Sequence, residues 1–212
     1  MIDLFAKIQY FAVVIPVFLL SLTIHEFAHG WIAHRLGDPT ARLQGRLTLN
    51  PLAHLDPIGT LAIVLIGFGW AKPVPVDYRY FSHPRRDMMM VAAAGPVSNV
   101  VLGAACAFCF QNLPWRGWGP ELAWLIKPVM TMLYMSVGVN VVLAVFNLLP
   151  IPPLDGSRVV SGLLPLRHAI TYSRLEPYGF VIIFLLFFTG IMGSVFGVAE
   201  HTLTRALFQM WG

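Results

Sequence analysis

A membrane-length apolar segment carries the motif His25-Glu26-Phe27-Ala28-His29 in its second half. From Phe11 to Ala33, Glu26 is the one residue with a formal charge. A carboxylate inside a bilayer costs about 2.5–3.5 kcal/mol on insertion scales, so an acidic residue at this depth marks a function by default. The motif therefore constrains the chain more than its hydrophobicity does.

The spacing of the two histidines indicates a metal site. Residues four apart lie on one helix face, so the imidazoles of His25 and His29 can reach the same ion. Glu26 lies beside the pair and can accept a proton from an attacking water. Patterns this short also arise by chance, but chance leaves three polar groups in lipid without partners. The motif predicts one zinc ion per chain, with Glu26 as the catalytic carboxylate.

The composition predicts an integral membrane protein. Hydrophobic residues make up 57% of the chain and charged residues 11%, against about 25% charged in soluble domains. The net charge of +4 comes from Lys and Arg residues that are scattered singly. Such scattering argues against a nucleic-acid surface and fits a basic cytoplasmic face beside anionic lipid. Cys106 and Cys109 lie in an apolar run, where we expect small buried hydrophobes rather than a metal or redox pair.

The hydropathy pattern predicts an all-α polytopic membrane protein that forms one domain over residues 1–212. Four segments are long and apolar enough to span a bilayer as helices: residues 8–34, 88–112, 129–149 and 177–199. Ile58–Trp70 has only 13 residues, short of the ~17 needed to span, so we expect a re-entrant or interfacial element. In Lys72-Pro73-Val74-Pro75-Val76 the alternate prolines favour an edge β-strand, which could receive an unwound substrate by strand addition.

The distribution of basic residues predicts the topology. If Ile58–Trp70 does not span, ten Lys and Arg residues lie on one side and four on the other; if it spans, the split is eight to six. The positive-inside rule favours the first arrangement. The larger group is Arg35, Arg42, Arg46, Lys72, Arg79, Arg85, Arg86, Arg158, Arg167 and Arg174. The end of the first helix and the 150–176 loop are therefore predicted to be cytoplasmic.

A catalytic zinc needs a third protein ligand besides the two histidines and a water. Asp155 follows three prolines in the apolar stretch Asn147–Gly156. Non-helical backbone next to lipid is tolerated where it is buried or lines a cavity, so Asp155 can project toward the histidines. The alternative is an Asp-Gly turn at the membrane surface.

Three asparagines in the predicted helices, Asn99, Asn140 and Asn147, are candidates for a role at membrane depth. The amide of Asn147, eight residues before Asp155, can hold a substrate carbonyl or its oxyanion, although asparagines also hydrogen-bond between transmembrane helices. For Asn140 and Asn99 we favour this structural role, because small residues surround Asn99 and allow close helix packing.

Together these residues resemble the site-2 protease family of intramembrane zinc metalloproteases. The likeness covers residues 10–160. It rests on His-Glu-x-x-His, on Gly95-Pro96-x-x-Asn99 and on Asn147 followed by Leu154-Asp155-Gly156. The resemblance implies that His25, His29 and Asp155 bind zinc, that Glu26 is catalytic, and that Asn147 contacts substrate. It also suggests the compact prokaryotic type, since 212 residues leave no room for a PDZ or CBS domain.

The expected function is zinc-dependent hydrolysis of peptide bonds in or beside transmembrane segments of protein or peptide substrates. The expected location is a prokaryotic cell membrane, with the site nearer the cytoplasm. Two other classes stay open. A metal-ion transporter would need ligands along a path on both sides of the bilayer, and beyond the motif the helices offer mainly asparagines. A catalytically silent relative that only binds membrane proteins would have no need of the full set of His25, Glu26, His29 and Asp155.

Overall fold

A computed structural model of the chain describes residues 4–59, 61 and 70–211. Within these residues the chain is mainly helical. The α-helices are α1 Leu4–Arg35, α2 Thr40–Leu43, α3 Pro84–Asn112, α4 Ala123–Leu148, α5 Asp155–Leu163, α6 Leu166–Ser173, α7 Gly179–Phe188 and α8 Ile191–Gln209. Single 3₁₀ turns cover Pro51–His54, Tyr78–Tyr80, Trp115–Gly117, Pro120–Leu122 and Glu176–Tyr178.

Four helical stretches among the described residues are long and apolar enough to cross a membrane. They are Lys7–Arg35, Pro84–Asn112, Pro120–Leu148 and Leu166–Phe188. The first three match the predicted segments 8–34, 88–112 and 129–149 and confirm them.

The bounds of the predicted fourth helix, 177–199, are wrong. Helix α7 ends at Phe188 and α8 begins at Ile191, because Gly190 between them has a φ of 75°. A glycine in this left-handed conformation is a common helix terminator. The fourth candidate span is made instead of α6, a turn and α7. Helix α8 packs along α4.

Helices α1, α3 and α4 pack on one another and form the centre of the fold. Their contact surfaces use small and β-branched residues, which allow close approach; Ala107, Val137 and Ala144 are almost fully buried. Cys106 is buried in one hydrophobic cluster with Ala107 and Val137. Cys106 and Cys109 are both free thiols. Short α5 packs against α3, which brings the chain after α4 back onto the three-helix centre.

The predicted re-entrant segment Ile58–Trp70 lies mostly outside the described residues, but both of its ends lie inside them. Leu55 and Ala71 form an antiparallel bridge, and the N–H of Lys72 donates to the carbonyl of His54 at 2.9 Å. The residues that precede and follow Ile58–Trp70 are therefore adjacent in space. Adjacent ends agree with the topology that the basic residues predict.

The predicted edge strand at 72–76 is wrong. This stretch, called the proline segment below, is extended but pairs with no strand in the described part of the chain. Pro73 and Pro75 have no N–H to donate, and the N–H of Val74 donates to the carboxylate of Glu26. If the segment were a strand, one edge would have only carbonyls, and on the other edge the N–H groups of Lys72 and Val74 are already engaged. An unwound substrate cannot add to it as a regular strand.

The adjacency of Leu55 and Ala71 leads to a topology test. Single cysteines at Thr48 and Tyr78, with Cys106 and Cys109 replaced by alanine, should react with an impermeant thiol reagent from the same, cytoplasmic face. A cysteine at Trp118, between α3 and α4, is the control and should react from the other face. Reaction of Thr48→Cys and Tyr78→Cys from opposite faces would contradict this topology.

Candidate metal centre

Three predicted ligands converge where α1, α3 and α5 meet. The Nε2 atoms of His25 and His29 lie 3.0 Å apart. The Oδ2 atom of Asp155 lies 3.1 Å from the first and 3.2 Å from the second. Both histidines are buried, and Asp155 is 15% exposed. Within the described residues, these side chains form a group whose ligand atoms could hold one metal ion.

The hydrogen bonds of the two imidazoles show that the donor set fits zinc. The Nδ1 atom of His29 lies 2.7 Å from the carbonyl of Val91, which can only accept, so Nδ1 carries the proton. The Nδ1 atom of His25 faces the Oδ1 atom of Asn99 at 2.6 Å. In neutral imidazoles, both Nε2 atoms then present lone pairs toward Asp155. Neighbouring ligand atoms around a tetrahedral zinc are about 3.3 Å apart, close to the distances found here.

The orientation of the Asn99 amide is set by a buried polar network. Its Nδ2 atom donates to the carbonyl of Ser21 at 3.3 Å and to Oδ1 of Asn140 at 2.8 Å. Asn140 in turn donates to Oγ of Ser21 at 2.9 Å and to the carbonyl of Ser136 at 2.8 Å. Because carbonyls only accept, the nitrogen of Asn99 must point to them and its oxygen must face His25.

The network extends the role that the sequence predicted for Asn99 and Asn140. Both asparagines are fully buried and bond between helices, as expected. Sequence reasoning missed that Asn99 also contacts His25, one of the candidate metal ligands. Partners of this kind fix the tautomer and ring orientation of metal-binding histidines. The available signal was position, since Asn99 lies one helical turn after Gly95 and shares its face.

Gly95 allows the backbone of α3 to reach the metal ligands. A Cβ atom at this position would lie 2.5 Å from Nε2 of His25 and closer still to Nε2 of His29. Real Cβ contacts are not that short, so any side chain here would displace the imidazoles. Gly95 of the sequence motif Gly95-Pro96 is thus a requirement of the site and not only of helix packing.

A second glycine places Asp155. Helix α4 ends at Leu148, and the chain turns back so that Asp155 is the first residue of α5. A Cβ atom on Gly156 would collide with the carbonyl oxygens of Leu148 and Leu149. The Asp155-Gly156 pair therefore folds tightly under the end of α4, as the predicted cavity-lining turn requires.

The two remaining predicted residues are Glu26, which is next to His25 in the sequence, and Asn147 near the end of α4. Glu26 is 9% exposed, and its Oε2 atom accepts the N–H of Val74 at 2.9 Å. Asn147 is half-buried and donates to the carbonyl of Leu143 in its own helix at 3.0 Å. In the described part of the chain, no hydrogen bond of Asn147 joins it to His25, His29 or Asp155. The geometry thus groups Glu26 with the ligands, and the role of Asn147 stays a prediction.

A His-Glu-x-x-His helix of membrane-spanning length, with a third candidate ligand close to both histidines, is the arrangement expected of a membrane metalloprotease. The model of peptidase family M50 matches residues 121–190. YwhC of Bacillus subtilis, named as a candidate zinc metalloprotease, is 42% identical over 172 residues, which cover 81% of this chain and 78% of YwhC. Rip2 of Mycolicibacterium smegmatis, named in the same way, is 32% identical over 194 residues, which cover 88% and 70%. No solved structure matches the chain.

The chain therefore belongs to peptidase family M50, the site-2 protease family. It is an integral membrane metalloprotease with zinc as its cofactor.

The convergence of the three ligands predicts the effect of removing one. Asp155→Ala should lower zinc affinity by at least about 100-fold, because changes outside the ligand set alone cost 10–100-fold. Competition with a chelator measures this, with Glu176→Ala, an exposed loop carboxylate, as control. An unchanged affinity of Asp155→Ala would identify another residue as the third ligand.

The polar network predicts an effect on zinc at a distance. Asn140→Leu removes the Oδ1 atom that holds the Asn99 amide, so zinc affinity should fall by about 10-fold. Asn147→Leu, on the same helix but outside the network, is the matched control and should bind zinc as the wild type does. Equal affinities for the two variants would show that Asn140 only packs helices together.

Proposed function

We propose that the protein is an intramembrane endopeptidase that hydrolyses peptide bonds in or beside transmembrane segments of membrane proteins. The observation that carries this proposal is the depth of the ligand group. His25 lies within the candidate span Lys7–Arg35, about 15 Å along the helix axis from Arg35 at 1.5 Å per residue. A peptide bond that reaches such a site has to come from a membrane-embedded or juxtamembrane segment.

The residues of the site divide the work of hydrolysis. Bound zinc lowers the pKa of a water molecule to about 7 and polarises a carbonyl group. Glu26 accepts a proton from the attacking water while the hydroxyl oxygen bonds to the carbonyl carbon. Glu26 then returns the proton to the amide nitrogen as the C–N bond breaks. Hydrolysis consumes one water and leaves a carboxylate and an amine.

A transmembrane substrate has to unwind before it is cut. In lipid, its carbonyls are engaged in the hydrogen bonds of its own helix, so attack requires a local opening that exposes one peptide bond. We expect Asn147, near the end of α4, to compensate for this opening. Its Nδ2 atom has two hydrogens and the bond to Leu143 uses one, which leaves one for a substrate carbonyl.

The surroundings of the site support a cytoplasmic orientation in a prokaryotic cell membrane. The ends of α1 and α4 and the start of α3 lie on the side that holds most of the Lys and Arg residues, and the positive-inside rule assigns that side to the cytoplasm. The relatives described above are bacterial proteins. Water then has the shorter route to the site from the cytoplasm.

The alternatives gain no support from the geometry. A metal transporter needs a chain of ligand groups across the bilayer, and in the described residues the potential metal group of three is His25, His29 and Asp155. A silent binding protein has no use for a carboxylate held beside complete ligands. A transporter and a silent binding protein each predict a different effect of replacing Glu26 than a protease does.

Replacement of the catalytic carboxylate tests the proposal. Glu26→Gln should lower cleavage of a model transmembrane peptide by about 10²–10⁴-fold, because an amide cannot carry the proton. Its zinc content should stay at one per chain, since the ligands are intact. Retained cleavage would refute the role of Glu26.

A flux measurement on the same variant separates protease from transporter. Vesicles that contain the wild type or Glu26→Gln are incubated with radiolabelled zinc in the external solution, and zinc uptake is measured. A protease gives no uptake above empty vesicles in either case. Uptake that both proteins share would identify a transporter instead.

A further inference from the structure

The proline segment is attached at both of its ends to the chain that follows α1. The N–H of Lys72 donates to the carbonyl of His54 at 2.9 Å, and the guanidinium of Arg46 donates to the carbonyl of Lys72 at 2.8 Å. Just beyond the segment, the N–H of Asp77 donates to the carboxylate of Asp38 at 2.7 Å. Asp38 is fully buried. These contacts leave the residues between Lys72 and Asp77 little freedom to shift along the helix.

Val74, at the centre of the segment, meets α1 at the catalytic motif. It is 8% exposed, and a Cβ atom on Gly30 would lie 3.0 Å from its Cγ1 atom. Gly30 is one helical turn after Glu26, so the Val74 side chain lies on the same face of α1 as the catalytic carboxylate. Its N–H donates to Oε2 of Glu26 at 2.9 Å. Because Pro73 and Pro75 have no N–H, Val74 supplies the one amide donor of this triplet.

We propose that Val74 is a positioning residue of the protease, and this rests on the function proposed above. Its backbone N–H holds Oε2 of Glu26 and leaves Oε1 as the carboxylate oxygen that takes the proton of the attacking water. A glutamate side chain has three rotatable bonds, and without a fixed partner its carboxylate samples several positions. A misplacement of about 1 Å can cost 10²-fold in rate. A backbone donor between two prolines is a stiff support.

The competing account is that the bond only satisfies a buried carboxylate. Buried charged groups need hydrogen-bond partners, and a bond with that role alone affects folding. Its loss would lower the melting temperature or the zinc content in parallel with activity. A positioning bond affects the turnover number of the protein that still folds and still binds zinc. The two accounts therefore differ in which quantity changes.

The test compares two variants that both lose the isopropyl group. Val74→Ala keeps the backbone N–H, whereas Val74→Pro removes it, and proline suits an extended segment. The kcat and KM for a model transmembrane peptide are measured in detergent with the zinc content. We expect the kcat of Val74→Pro to be about 10–100-fold below that of Val74→Ala, with KM within about 2-fold and one zinc per chain in both. Equal kcat values would overturn the proposal.

A backbone ester at position 74 covers the case in which Val74→Pro does not fold. Replacing valine by its α-hydroxy analogue exchanges the N–H for oxygen and keeps the side chain. Its kcat should fall by the same 10–100-fold relative to wild type with zinc retained. A kcat at the wild-type level, or a loss of zinc in step with kcat, would refute the positioning role. If the wild type itself cleaves no peptide, the proposed function fails instead.

Discussion

The absence of water from the bilayer core is the constraint on which this structure depends. A polar group at membrane depth that finds no protein partner stays unsatisfied, at a cost of several kcal/mol. The chain places two histidines, a glutamate, two asparagines and a serine at that depth. In the structure the histidines, asparagines and serine bond to one another across α1, α3 and α4, and the glutamate accepts the N–H of Val74. The same hydrogen bonds orient the candidate metal ligands and join helices α1, α3 and α4. The metal centre and the helix packing therefore depend on each other.

Close approach of backbones makes this arrangement possible. Gly95 lets α3 reach the two imidazoles, Gly30 admits Val74, and Gly156 lets the chain fold under the end of α4. Each of these glycines has an ordinary negative φ in this structure, so each is needed for the space of a missing side chain rather than for backbone freedom. Small residues at helix contacts are common in membranes. Here they bring backbone and ligand groups within hydrogen-bond distance of a catalytic motif.

The candidate ligand group that the structure brings together could be predicted from sequence because lipid makes polar residues conspicuous. His25, Glu26 and His29 had no innocuous explanation inside an apolar helix, and Asp155 followed a proline-rich turn where irregular backbone needs a cavity. Hydropathy located three helices for the same reason. It failed at Gly190, since an uninterrupted apolar run carries no information about a change of backbone φ.

The contacts that sequence reasoning missed share a physical cause. The acceptor of the Val74 N–H is a side chain far away in sequence, and a backbone donor leaves no mark in the residue pattern. Local rules for alternate prolines therefore predicted an edge strand where a tertiary hydrogen bond determines the conformation. For Asn99, the sequence showed an amide in a helix but not which of its neighbours it would face. For Asn147, the position eight residues before Asp155 suggested a functional role. In the structure its amide instead donates to the carbonyl of Leu143 in its own helix.

The two functions of the motif are supported by different parts of the molecule. The imidazoles are oriented by α3 and α4, through Val91, Asn99 and Asn140, on rigid helices in the membrane. The carboxylate of Glu26 is held by the proline segment, which is attached through the loops that follow α1. We therefore expect metal affinity and turnover to depend on separate hydrogen bonds, although His25 and Glu26 are adjacent in sequence.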